Sequence, residues 1–108
     1  MAYVRGLAVR VLTHERARSG RRDTVDALRE LARREGLAGV TVTRGIEGYS
    51  PRGGMRSAEV VELGDDLPVA VEIVDRAERI EVVLPQIEAL VTEGTLTVAE
   101  VRLWVAAE

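Results

Sequence analysis

The 108-residue sequence predicts one α+β domain, residues 1–108, with a ferredoxin-like βαββαβ fold: a four-stranded antiparallel sheet carrying two helices on one face. Three observations predict it. Segments with period-two alternation of apolar residues lie on both sides of two segments with helical periodicity, glycine or polar breaks separate them, and the order is β-α-β-β-α-β.

Tyr3 to Leu12 is the first strand, with Leu7, Val9 and Val11 on one parity and Ala8, Arg10 and Leu12 on the other. Thr13 to Arg22 is polar, contains Ser19-Gly20 and reads as a loop holding His14, the only histidine. Asp23 is placed to cap the first helix, whose apolar stripe is Val25, Leu28, Leu31 and Ala32. Gly36 ends it, because a left-handed residue at that position strains any side chain. The second strand follows, with Val40, Val42 and Ile46 on one parity, Thr41 and Thr43 on the other, and Gly45 marking a bulge or a close backbone approach.

Gly48 to Arg56, G-Y-S-P-R-G-G-M-R, predicts a mobile loop rather than a strand. Ser57 to Leu63 and Pro68 to Val74 predict a strand interrupted at Gly64-Asp65-Asp66. Val69, Val71 and Ile73 alternate there with Ala70, Glu72 and Val74, which implies burial on both faces. Asp75, with Glu78 three residues on, has the signature of a capping box. Ile80, Val83, Leu84, Ile87, Leu90 and Val91 are the second helix's stripe, and Pro85 predicts a kink or a break. Leu96 to Val105 is the last strand, with Val101, Leu103 and Val105 on one face and Arg102 and Trp104 on the other. Two helices on one face leave the other face bare, so a second subunit is expected to cover it.

Composition excludes several chemistries. With no cysteine there is no disulfide framework, thiolate nucleophile or cysteine metal site. No apolar run approaches the roughly 20 residues that span a bilayer, and Met1 to Arg10 lacks the unbroken apolar core of a secretory signal, so a cytoplasmic location is expected. Every base is arginine. Up to Arg56 there are twelve arginines against six acids, a net +6; beyond it, three against twelve, a net −9. Because the fold interleaves the two halves, these charges mix in space, and no nucleic-acid partner is expected.

Taken together, L-A-G-V-T-V-T-R-G-I-E-G-Y-S (37–50), D-L-P-V-A-V-E-I-V-D (66–75) and the Leu84-Pro85 pair resemble the family known as domain of unknown function 190. That family is similar in turn to the PII nitrogen-regulatory signalling proteins. The resemblance runs from about Leu7 to Val105. It implies a PII-like version of the fold, a homotrimer, a non-enzymatic regulatory role, no bound cofactor, and a small anionic effector, an adenine nucleotide above all, held between subunits. It also implies regulation of a partner, a membrane channel or transporter, through the loop after strand two.

Carried over by residue, the resemblance puts Gly39, Val40 and Thr41 in the segment touching a neighbour's nucleotide, and Gly48 and Tyr49 at the base of the loop. Ser50 stands where PII proteins have another glycine. Thr92 to Ala99, before the last strand, has one glycine, one acid and no base, where PII proteins cradle phosphate with a lysine. Either phosphate binding falls to Arg44, Arg52 and Arg56, whose guanidinium forks suit it, or the ligand is not ATP.

Each residue also has a plainer reading. Arg44 is a ligand arginine or an ion-pair residue at an edge or between subunits. Gly48 and Tyr49 are ligand contacts or a simple connection with a packed tyrosine, and Arg52 and Arg56 are anion ligands or solvated loop charges. Glu47, Glu59 and Glu62 would be the members of a metal cluster, against which stand one histidine, no cysteine and no tight ligand spacing. The alternative function is a metal-tolerance trimer like the CutA group, which shares the fold and predicts a metal site. His14 has no partner acid or nucleophile at a recognisable spacing. Trp104 reads as core or interface packing.

Overall fold

A computed structural model describes residues 1–50, 54–57 and 66–106. Strand β1 (Ala2–His14) runs through the centre of the sheet, pairing antiparallel with β7 (Pro68–Arg76) on one side and β8 (Thr95–Val105) on the other. Strand β4 (Gly39–Arg44) pairs antiparallel with β7, so the order is β4-β7-β1-β8. Helices α1 (Thr24–Arg34) and α2 (Ala77–Leu90) supply the βαββαβ framework. Two small ladders are added: β2 (Arg18–Ser19) with β3 (Arg22–Asp23), and β5 (Glu47–Ser50) with β6 (Gly54–Ser57).

The parities decide which face is dry. Leu7, Val9 and Val11 stand opposite Asp75, Ile73 and Val71 across the β1–β7 ladder, and residues paired in register share a face. That face packs on Leu28 of α1 and Ile80 and Ile87 of α2, all fully buried. Burying a side chain of this size contributes about 1.5–3 kcal/mol. On the opposite face Leu12, Ala8, Ala70, Val74 and Leu103 share a side with one charged register pair, Arg10 and Glu72, and with Thr97 and Thr41 beside that pair; among the described residues neither helix packs on them. Asp23 caps α1 by accepting the Asp26 N–H at 3.0 Å, and Gly36 takes φ +62° just past the helix.

Five local expectations are corrected. Strand β1 runs on to His14, because Thr13 and His14 pair with Val69 and Pro68, so the histidine ends a strand instead of sitting in a loop. The 48–56 loop is a hairpin: Glu47, Gly48, Tyr49 and Ser50 pair with Ser57, Arg56, Met55 and Gly54. Its glycines do not forbid a short ladder, since glycine adopts extended backbone and only forgoes side-chain packing.

Asp75 does not cap α2, whose N-cap is Arg76 without a side-chain bond. Strand β7 continues past Asp75, and its buried carboxylate accepts instead from Ala38 N–H at 2.9 Å, Arg76 N–H at 2.6 Å and Arg79 Nη1 at 3.0 Å. Of the kink or break expected at Pro85, the break does not occur: α2 runs through it, and Pro85 and Glu81 both lie on the exposed side, where water can take the carbonyl that loses its donor. The second strand stops at Arg44, and Ile46 belongs to the connection into β5. The expected strand from Ser57 to Leu63 falls, beyond Ser57, outside the described residues.

Candidate functional site

Antiparallel pairing brings four chain segments to one end of the sheet: the end of β1, the end of β4, the start of β7 and the start of β8. The β5–β6 hairpin leaves from this end. Gly45 N–H donates to Pro68 O at 2.7 Å, and a Cβ on either Gly45 or Gly48 would lie 3.0 Å from the Pro68 ring. Both positions therefore suit glycine by close approach, not by backbone angle. Tyr49 and Ile46 project from the hairpin and its stem with relative exposures of 72% and 80%.

Beneath the hairpin lies an ionic and hydrogen-bonded floor. Arg44 donates through Nε (3.0 Å) and Nη2 (2.6 Å) to Glu15 Oε2, while Glu15 Oε1 accepts the Leu67 N–H at 2.9 Å. The Arg44 hydrogen bond, then the Leu67 N–H, hold the Glu15 carboxyl below the usual glutamate range. His14 is flanked on both ring nitrogens: Nδ1 lies 2.7 Å from Asp66 Oδ1, and Nε2 lies 3.0 Å from Glu93 Oε1.

The same two carboxylates accept backbone N–H groups, Arg16 onto Asp66 and Arg18 onto Glu93, each at 3.1 Å. The Arg18 N–H, followed by the His14 bond, keeps the Glu93 carboxyl below its usual range. Thr13 Oγ1 donates to Glu93 O at 2.6 Å, Thr92 Oγ1 to Arg18 O at 2.6 Å, and Ser19 Oγ to Leu90 O. Among the described residues no buried side-chain N or O lacks a partner.

The sequence-derived candidates divide into three groups. Arg44, Gly48 and Tyr49 gather at this end, with Ser50 and Arg56 placed by backbone pairing in the hairpin. Gly39, Val40 and Thr41 lie at the other end of β4, some 10 Å along the strand at about 3.3 Å per residue. There Val40 stands opposite Ile73 on the helix face, while Gly39 and Thr41 stand opposite Val74 and Glu72 on the open face. One protomer therefore does not unite the two groups. Arg52, Glu59 and Glu62 lie outside the described residues.

Two readings are corrected. His14 does have acid partners, 52 and 79 residues away in sequence. The only signal for them was indirect: once β1 pairs with both β7 and β8, the residues leading into those strands flank its end. Of the two readings of Trp104, core or interface packing, the core one fails: it stands half-exposed with its ring 5.0 Å from Tyr3 in an edge-to-face pair, and the Arg102 guanidinium sits 4.3 Å over the Tyr3 ring.

Chemically, this end sets Arg44 and His14 among the carboxylates of Glu15, Asp66 and Glu93. Among the described residues no cluster of three or more His, Asp or Glu could hold a metal ion, and Asp66 and Glu93 approach His14 from different ring nitrogens. No helix among the described residues is long and apolar enough to cross a membrane.

Comparison with known proteins agrees with this architecture. The solved structure of CPII, a nitrogen regulatory PII-like protein from Thiomonas intermedia K12 bound to ADP, AMP and bicarbonate, superposes with a TM-score of 0.61 at 16% identity over 94% of this chain and 90% of that one. CutA1 from Oryza sativa superposes with a TM-score of 0.56 at 15% identity, covering 97% and 85%. At these identities the likeness is one of fold. In sequence, a UPF0166 protein of Aquifex aeolicus is 32% identical over 103 residues, 95% of this chain and 97% of the relative. A UPF0166 protein of Methanocaldococcus jannaschii is 34% identical over 76 residues, 69% of each. Residues 6–103 match the family DUF190, described as "Uncharacterized ACR", and the chain belongs to that family.

Proposed function

We propose that this protein is a PII-like regulatory protein and not an enzyme: a homotrimer that binds a small anionic effector between subunits and reports its occupancy through the β5–β6 hairpin. The observation that carries the reading is the hairpin itself, standing on Pro68 at the sheet's end with Tyr49 and Ile46 turned to solvent. Such a projection is suited to engaging a partner, for which we propose a membrane channel or transporter. The bare sheet face supports the oligomer, since an apolar surface of that kind is ordinarily covered. It also supports a site shared between subunits, because Gly39 and Thr41 lie on that face in one protomer, away from Arg44, Gly48 and Tyr49.

The ADP and AMP held by the solved PII-like protein suggest an adenine nucleotide as the effector. Phosphate would be met by Arg44, which would have to share or leave Glu15, and by Arg52 and Arg56. The turn before β8 contributes Glu93 instead of a base, so a ligand of low charge is favoured over a triphosphate. Isothermal titration with AMP, ADP and ATP, alongside native mass spectrometry, tests the reading. Saturable binding by a species of three chains is expected; absence of heat with all three at millimolar concentration would sink the nucleotide, and a monomer would sink the shared site. A CutA-like metal-binding trimer is the second reading, favoured by the fold likeness to CutA1; elemental analysis returning only background metal disposes of it.

A further inference from the structure

We propose that His14 is a proton-operated latch for the base of the β5–β6 hairpin, closed when the ring carries its charge and released when it loses a proton. This goes beyond the effector reading and does not depend on it.

The geometry sets the requirement. Both ring nitrogens face carboxylate oxygens, Asp66 at 2.7 Å and Glu93 at 3.0 Å. A neutral imidazole has one N–H and one lone pair, so only the imidazolium donates to both. When the proton leaves, one nitrogen faces a carboxylate lone pair to lone pair. Three segments, the end of β1, the lead-in to β7 and the turn between α2 and β8, are then no longer joined through one ring. The ring is poorly placed to solvate itself instead, since the side chain is only 14% exposed.

The path from ring to hairpin is short. Asp66 adjoins Leu67, whose N–H is held by Glu15, the carboxylate that also holds Arg44. Leu67 adjoins Pro68, the ring against which Gly45 and Gly48 rest. A change at Asp66 is therefore two residues from the hairpin's support.

Among the described residues the charged groups around His14 are Asp66 ahead of β7, Glu93 ahead of β8, Glu15 and Arg16 after β1, Arg18 on β2 and Arg44 on β4. Arginine stays charged throughout, and carboxylates ordinarily titrate below about 5. Glu15 and Glu93 are held lower still. The sequence has one histidine, no cysteine and no lysine. Between roughly pH 5.5 and 8.5 the other side chains are thus silent; imidazole is the side-chain type whose ordinary titration falls there, and the amine of Met1 is the other group that responds. Met1 lies at the far end of the 13-residue β1, about 40 Å away at 3.3 Å per residue.

Amide hydrogen exchange, corrected for the intrinsic effect of pH, tests the latch at about pH 6 and about pH 8.5, on either side of ordinary imidazole titration. In the wild type, the opening of segments 44–49 and 66–69 is expected to rise about tenfold at the higher pH, the effect of one lost charge-assisted hydrogen bond. Helix α1 should not follow. His14→Gln should abolish the difference. An unchanged pH response in that variant, or flat protection in the wild type, overturns the proposal. Nitrogen-15 NMR of the wild-type ring provides a check that needs no variant: both ring nitrogens should be protonated at about pH 6, and a neutral single tautomer there overturns it equally.

Discussion

At its carboxyl end β1 delivers Thr13 and His14 into a floor of hydrogen bonds shared by the segments leading into β2, β7 and β8. At its amino end the same strand carries Tyr3 alongside Trp104 and Arg102, paired with β8 alone, since its ladder with β7 stops at Gly6. One end is densely cross-bonded, with the His14 ring as the link shared by three of its segments. The other end is a two-stranded ribbon held by its ladder, an aromatic pair and exposed ion pairs. Stability and function are thus expected to divide along a single strand, with the locked end serving the hairpin and the ribbon end open to coverage by another subunit.

The sharpest way to break this comparison is Gly94→Ala. Gly94 has φ +135°, and a Cβ there would lie 2.3 Å from the Leu12 carbonyl oxygen. Backbone strain and overpacking together should cost about 3–5 kcal/mol, read as a lowered midpoint in urea. Asp75→Ala, near the middle of the sheet, should cost about 2–3 kcal/mol by leaving the Ala38 and Arg76 N–H groups without their acceptor, while Arg79 keeps the Glu35 and Gly36 carbonyls. At the ribbon end, Trp104→Ala should cost only about 1 kcal/mol, the value of an aromatic pair that is half in water. A loss equal to that of Gly94→Ala would erase the distinction between the two ends.

Acid provides a finer test. The Glu15 and Glu93 carboxyls are depressed in the folded protein, so each contributes stability that is fully present above the ordinary glutamate value of 4.5 and is lost as pH falls through the folded one. Wild-type thermal stability should therefore drop on acidification below pH 4.5, and the double variant Glu15→Gln, Glu93→Gln should drop less steeply. The smallest effect is expected from Arg5→Ala on the ribbon, whose ion pairs with Glu100 and Glu81 lie in solvent; its melting temperature should not move beyond error.

The fold was largely legible because its signals are local. The alternation of Leu7, Val9 and Val11, the Asp23 cap, the α1 stripe and Gly36 each depend on residues a few positions apart, and each survives into the structure. Misreadings came where a distant segment claimed a residue. Asp75 has the spacing of a cap, but Ala38 and Arg79 use its carboxylate. His14 looked isolated because its partners are fixed only by strand register. Of the candidate residues, the spacing along one chain brings Arg44, Gly48 and Tyr49 to one end of the sheet, while Gly39 and Thr41 lie farther along β4, a separation that strand length dictates and that a single chain does not bridge.

Pro68 has a consequence of its own. The hairpin meets the sheet over one five-membered ring, with glycines at 45 and 48 presenting bare backbone to it. Two smooth surfaces on a rigid block make a fulcrum: a small displacement of the block tips the lever, and Tyr49, farther out than the stem, moves more than Gly45 and Gly48 do. Adding a methyl group at either glycine would set the angle of the lever without touching its tip.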